Sequence, residues 1–479
     1  MSGSALPPEL ASRRQSRSRN RGGRLAQSRS HENQPRRHLT FSCKDQSQPA
    51  TITCSKNPER RRKLFERIKP KSPKRPMIGK RHMSSTTISV PRPGRSAKTY
   101  RLTAVYFAAF VALGMTAGSL GPTLPSLSEQ TQVGLSAISY VFTARSVGYL
   151  IGSVRAGKLF DRRPGNPVMA AMLLTMSIMM ALVPLASRLW LLLIAMLILG
   201  AAEAALDVGA NILLAWAHGN RVAPFMNALH SAFGVGALLA PLIVAQTVLF
   251  NLPATDSYFV LALLLLPVAA FMLRLRGPVA PTPEKHAGPA KANRRLVFLI
   301  AAFLFLYVGA EVCFAGWIFT YTIKLELSSA TTAAYLVSLF WGSLTLGRML
   351  TIPVAAHFRP QTILMSSLAG SLLSLVVILL RPGSFAATLI GTTGLGLSMA
   401  SIFPTTLSFA GNRMKMTGRV TGWFVFGASA GAMLIPLVIG QSFQAVGPRV
   451  VVFVTTATLL AALGVLVAVI HTSNRQLKT

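Results

Sequence analysis

From Leu102 onward the chain alternates long apolar runs with short polar interruptions. A run of eighteen or more such residues can cross a hydrocarbon layer of ~30 Å as a helix, at a rise of ~1.5 Å per residue. Twelve segments are predicted in this way, at approximately 102–122, 135–156, 167–186, 190–216, 223–249, 257–275, 296–323, 331–354, 362–380, 385–409, 419–441 and 448–470. Between the sixth and seventh lies "RLRGPVAPTPEKHAGPAKANRR", a Pro-rich basic linker that divides the set six plus six. The expectation is an all-α membrane protein with twelve transmembrane helices in two six-helix bundles, residues 100–275 and 296–470. A linker at 276–295 joins them, and a short tail follows at 471–479.

An internal repeat supports the division. Gly236 to Gln246 reads "GALLAPLIVAQ" and Gly431 to Gln441 reads "GAMLIPLVIGQ", a match of the form G-A-x-L-x-P-L-x-x-x-Q at corresponding places in the two halves. The fifth and eleventh segments both start from the same side, so the bundles are expected to be pseudo-symmetric parallel repeats flanking a central site. Loop charge sets the orientation. "GKLFDRRPGN", "AHGNR", the central linker, "HFRPQ" and "GNRMKMTGR" are rich in Lys and Arg, whereas "SLSEQTQVG", "NLPATDS" and "KLELSSATT" are neutral or acidic. Both termini are therefore expected in the cytoplasm.

Charge and cysteine content change this picture only at the amino terminus. Of the 479 residues 51% are hydrophobic and 13% charged, about half the charged share of a soluble protein. The net charge is +36, and residues 1–98 supply +20 of it, from 25 Lys/Arg and five acids. Residues 1–99 have too few apolar positions for a core and read as a disordered basic tail. Such a tail can touch anionic lipid, at roughly 1 kcal/mol per basic residue near the surface. A transit-peptide-like leader, or an upstream extension before a start at Met77 or Met83, is the competing reading. Cys43, Cys54 and Cys313 form no disulfide framework and no metal-ligand spacing. No nucleotide-binding, metal or triad pattern is present, so neither an enzyme nor a cofactor is implied, and nucleic-acid binding by a bilayer-fixed chain is not expected.

Three acids lie deep inside apolar segments. Glu203, Asp207 and Asn211 follow one another at intervals of four in "EAALDVGANILLAW", and Glu311 stands alone on the seventh segment. A carboxylate at a helix centre costs about 2.5–3.5 kcal/mol, so it normally faces a partner or a water-filled cavity. Intervals of four put the first three on one helical face. At ~1.5 Å per residue, Asp207 and His230 lie roughly 12–15 Å from the cytoplasmic ends, Arg145 roughly 17 Å, and Glu203 and Glu311 roughly 20–23 Å. Arg145 is expected to pair with Glu203, Asp207 or both. A carboxylate withdrawn from water, as at Asp207, can take up a proton near neutral pH. His230 can serve the same site or simply bond a backbone carbonyl. Asn227 lies one helical turn before it. Tyr307, Trp317 and Trp341 can stack on a ligand, or serve packing and interfacial anchoring. Gly148 and Gly152 read as close-packing positions.

At these residues the chain resembles the major facilitator superfamily, within it the branch of fucose permeases and sodium-dependent glucose transporters. "GKLFDRRPGN" is similar to the superfamily's loop between helices 2 and 3, with Gly157, Asp161, Arg162 and Gly165 in the conserved places, Pro164 displacing the last glycine by one. Asn166 and Pro167 stand where that loop has a basic pair. The resemblance implies the major facilitator fold and a conformational switch in this loop. "LDVGAN" puts Asp207 and Asn211 where the branch has a transport carboxylate and its neighbouring asparagine. "MNALHSAFGVGALLAP", "YVGAEV", "GWIFTY", "SIFPTTLSFA" and "FTARSVGYLIGS" resemble helices 5, 7, 10 and 2 of the same branch. One position departs: fucose permeases carry an aspartate on helix 1 four residues before a proline, and here Gly121 precedes Pro125.

The expectation is a secondary transporter of small polar solutes, monosaccharides first among them, by alternating access with proton or sodium symport. Asp207 and Asn211 from one half, and Glu311 with Trp317 from the other, would contact solute or ion. Facilitated diffusion, a drug or organic-anion exporter, and a non-transporting receptor or scaffold working through its basic tail remain as alternatives. A plasma-membrane location is expected, an organelle membrane being the alternative.

Overall fold

A computed structural model describes residues 97–278 and 293–476. The tail expected to be disordered, apart from residues 97–99 at the start of the first helix, lies outside these residues, as do its expected lipid contact, Cys43, Cys54 and most of the linker. Twelve helical rods follow one another: α1 (Ala97–Gln130), α2 (Tyr140–Arg162), α3 (Gly165–Leu182), α4 (Leu189–His218), α5 (Val222–Leu249), α6 (Ser257–Arg274), α7 (Arg294–Lys324), α8 (Ala330–His357), α9 (Pro360–Leu380), α10 in two pieces (Phe385–Met399 and Ile402–Gly411), α11 (Gly418–Val446) and α12 (Val450–Gln476). Several starts are set by side-chain caps. Asn293 accepts from the backbone N–H of Arg295 and Leu296, and Ser329, Ser384 and Thr417 cap α8, α10 and α11 in the same manner.

The differences from expectation have local causes. Helix α1 continues through Pro122 and Pro125 to Gln130, about two turns past the predicted end. Helix α12 runs on to Gln476, through most of the stretch expected to be a tail. The tenth segment breaks at Ala400 and Ser401. Pro404 has no N–H to give the carbonyl of Ala400, four residues back, and its ring crowds that carbonyl. Eleven of the described helices are long and apolar enough to cross a membrane unaided. Helix α2 falls short because it carries Arg145, Arg155, Lys158, Asp161 and Arg162. It is held by the bundle instead.

The pairings α1–α5, α2–α4 and α3–α6 recur as α7–α11, α8–α10 and α9–α12. The repeated sequence explains part of this symmetry. Its first residue lets two backbones touch: a Cβ on Gly236 would lie 1.9 Å from the carbonyl oxygen of Val111 on α1, and one on Gly431 would lie 1.9 Å from that of Phe305 on α7. Its last residue reaches across to the other half. Gln246 on α5 donates to Tyr335 Oη on α8 at 2.9 Å, and Gln441 on α11 donates to the carbonyl of Ser136, just before α2, at 2.8 Å. The halves also meet where α1 crosses α7.

The start of α1 and the end of α4 share one face of the bundle, joined by Thr103 and His218 at 2.7 Å. The two glutamine bridges lie toward the opposite face. There Trp317 is sandwiched between Phe142 and Phe443, with ring centroids 6.1 and 5.5 Å away. That end is sealed. Apolar side chains such as Trp190, Leu263, Phe298 and Leu373 cover the bundle's outside, where lipid would lie.

Candidate functional site

Helices α2 and α4 run side by side because glycines bring their backbones into contact. A Cβ on Gly148 would lie 1.9 Å from the oxygen of Leu197, and one on Gly200 would lie 2.0 Å from that of Arg145. This fixes the register of two matched stripes. Arg145 Nε and Nη2 donate to the two carboxylate oxygens of Glu203, at 2.8 and 2.7 Å. One turn on, Tyr149 donates to Asp207 Oδ2 at 2.5 Å, while Asn211 Nδ2 donates to Oδ1 at 2.9 Å. Arg145 therefore serves Glu203, and Asp207 is held by a phenol and an amide. Tyr149 was missed by sequence reasoning, although its place four residues after Arg145 mirrors the Glu203–Asp207 interval.

These groups face a cavity of about 820 Å³ between the halves. Arg145, Tyr149, Glu203, Asp207, Asn227, His230, Glu311, Trp341 and Arg348 contribute to its wall. It reaches the face that holds the start of α1, where Ala355, Phe358 and Pro360 border it. His230 packs edge-on against Phe110, with centroids 5.6 Å apart. Trp341 sits among Phe233 and Phe340. Arg348 on α8 is the second residue that sequence reasoning missed. Its Nε is buried without a hydrogen-bond partner. It stands nine residues before the end of α8, and unlike Glu203 and Asp207 it has no second charged residue one turn away on its own segment.

Three expected residues stand behind the wall. Asn211 acts through Asp207. Tyr307 is fully buried and bonds Glu311. Trp317 is fully buried in the aromatic seal, so it makes no wall in this conformation. At Gly121 an added Cβ would lie 2.5 Å from the carbonyl oxygen of Ala315. Helix α1 crosses α7 too closely there for the aspartate of the fucose permeases. The loop after α2 is not gathered into one site either. Asp161 and Arg162 are exposed, with no ion pair among the described residues, and Gly157 has open space around it. Only Gly165 is packed, against Leu213. Asn166, in the place of the family's basic residue, is buried; it accepts from Tyr106 at 2.8 Å and donates to the carbonyl of Leu275 at 2.8 Å, tying α3 to α1 and to the exit of α6.

Two six-helix halves flanking one charged cavity, open at one end and sealed at the other, are the architecture of a solute carrier. The Major Facilitator Superfamily pattern matches residues 105–436, and the chain belongs to that family of multi-pass membrane transporters. It is 32% identical over 372 residues to the Mus musculus sodium-dependent glucose transporter 1A, which covers 70% of this chain and 88% of that one. Among solved structures it resembles the nucleoside transporter NupG, with a TM-score of 0.63 and 15% identity over 78% of this chain and 99% of that one. The E. coli fucose:proton symporter FucP gives a TM-score of 0.54 and 18% identity, again over 78% and 99%. These two likenesses show the fold.

Proposed function

We propose that this protein is a secondary active transporter of a monosaccharide, working by alternating access and symport with one monovalent cation. The observation that carries the reading is the cavity itself. Its ~820 Å³ is within the range that encloses a small molecule, and both halves contribute hydrogen-bonding groups to it. Asp207, Asn227 and His230 from one half, with Glu311 and Trp341 from the other, would bind solute or ion. Arg145 holds Glu203. Its wall bears two guanidinium groups and three carboxyl groups, so with all three ionised and His230 neutral it would carry one negative charge in excess. A buried excess charge calls for a cation, which is what symport supplies. The relative named as a sodium-dependent glucose transporter supports both the sugar and the coupling.

The basic loops lie on the open face, so this state is read as open to the cytoplasm, with both termini there and the plasma membrane as the location. The exposed Asp161 and Arg162 are read as a switch loop that engages when this face closes. The test is uptake of labelled monosaccharides into proteoliposomes under proton and sodium gradients imposed one at a time. Accumulation of a sugar under one gradient is expected; no accumulation or exchange of any of them rejects the reading. Asp207→Asn is expected to abolish gradient-driven accumulation while the protein still inserts and folds.

A further inference from the structure

Tyr307 is short of one proton. Its hydroxyl bonds Glu311 Oε2 and also lies 3.0 Å from the carbonyl oxygen of Met399, the last residue of the first piece of α10. A phenol donates one hydrogen, and a carboxylate and a carbonyl both only accept. With Glu311 ionised, one of two acceptors at a fully buried hydroxyl lacks a donor there. With Glu311 protonated, its O–H donates to Tyr307 Oη, the phenol O–H donates to Met399, and every group is satisfied. The other side of Glu311 lines the cavity, from which a proton can reach it.

Other elements around the carboxyl supply little competing charge. Helix α8 brings Arg348, which is in no ion pair among the described residues. From α5 comes His230 across the cavity; α1 offers Gly121, α10 offers Phe403, and α11 offers Ser429 and Ala432, all without charge. Helix α12 meets α7 through Thr455 and Cys313, 3.6 Å apart.

We propose that Glu311 is the proton-binding site of the transport cycle, and that Tyr307 is a positioning residue that reports its state to the break in α10. The proposal rests on the transport reading above for its role in a cycle, but not for the proton itself. When the carboxyl releases its proton to the cavity, the phenol O–H turns to the carboxylate and the Met399 carbonyl loses its donor. The join between α7 and α10 is then loosened where Pro404 has already interrupted the helix.

Infrared difference spectra of the full-length protein in lipid nanodiscs, between acid and alkaline buffer, test this without any solute. A titrating carboxylic-acid C=O band is expected, absent in Glu311→Gln and displaced in frequency in Tyr307→Phe, where the acid has lost its acceptor. A band unchanged in Glu311→Gln overturns the site, and one unmoved in Tyr307→Phe overturns the relay; the second variant decides if the first does not fold. In proteoliposomes, accumulation driven by a pH gradient is expected to vanish in Glu311→Gln. Undiminished accumulation there would remove Glu311 from the cycle. A wild-type protein that moves no sugar yet gives the Glu311 band would instead reject the transport reading and leave the proton site standing.

Discussion

Arg145 and Glu203 are the one ion pair found among the described residues, and both side chains are largely withdrawn from solvent, at 18% and 3% exposure. Removing one partner leaves a charge in a poorly solvating place, which typically costs about 3–5 kcal/mol, whereas removing both together costs far less. Arg145→Gln or Glu203→Gln should therefore each lower stability by about that amount, and the double variant Arg145→Met, Glu203→Met by less than either. Thermal unfolding in detergent would measure it; equal losses in all three would mean that the pair contributes only packing. This pair was half legible from sequence. Buried charges of opposite sign on separate apolar segments announce that they need one another, but the choice between Glu203 and Asp207 depends on helix register. Register was set by Gly148 and Gly200, whose contacts no single segment reveals. Tyr149 went unread because a tyrosine in an apolar run looks like packing until the carboxylate opposite it is known.

At the scale of helices, the apolar runs alone located all twelve rods, since a bilayer demands length and hydrophobicity of each crossing. What they could not convey was where lipid stops mattering. Helix α2 is too charged to cross alone, with Arg145 paired to Glu203 in its middle and Arg155, Lys158, Asp161 and Arg162 exposed toward its end, and α1 outlasts its apolar run through two prolines. The break in α10 was visible in principle at Pro404, yet α1 tolerates two prolines without breaking, so the residue type by itself decides nothing. The repeated glycines are a firmer prediction. A methyl group at Gly236 or at Gly431 would meet a carbonyl oxygen of the partner helix at 1.9 Å, and main chain cannot turn aside as a side chain can. Gly236→Ala and Gly431→Ala should each destabilise the bundle by about 1–3 kcal/mol. Gly464→Ala on α12, with open space around it, should change the melting temperature little. Equal melting temperatures for all three would show that the α1–α5 and α7–α11 contacts are looser than described.

For the whole molecule, the repeat does more than build two similar halves. Its two final glutamines reach outward from α5 and α11 and take hold of the opposite half, at 2.9 and 2.8 Å. The same short sequence thus places a glycine to bind a half together and a glutamine to bind the halves to each other. An alternating-access cycle requires those bridges to part when the sealed face opens, so they weigh on the balance between the two open states. A hydrogen bond of this kind contributes about 1 kcal/mol net, and losing two should shift the ratio of states by roughly thirtyfold. Gln246→Ala with Gln441→Ala is expected to populate the state open at the now-sealed face. Spin labels at Phe250 and Val446, both exposed at that face, would report it as a longer distance component that the unmodified protein lacks. Each single variant should lie between the two. If the distance distribution is the same in the double variant as in the parent, the seal is held by Phe142, Trp317 and Phe443 alone, and the glutamines are incidental to it.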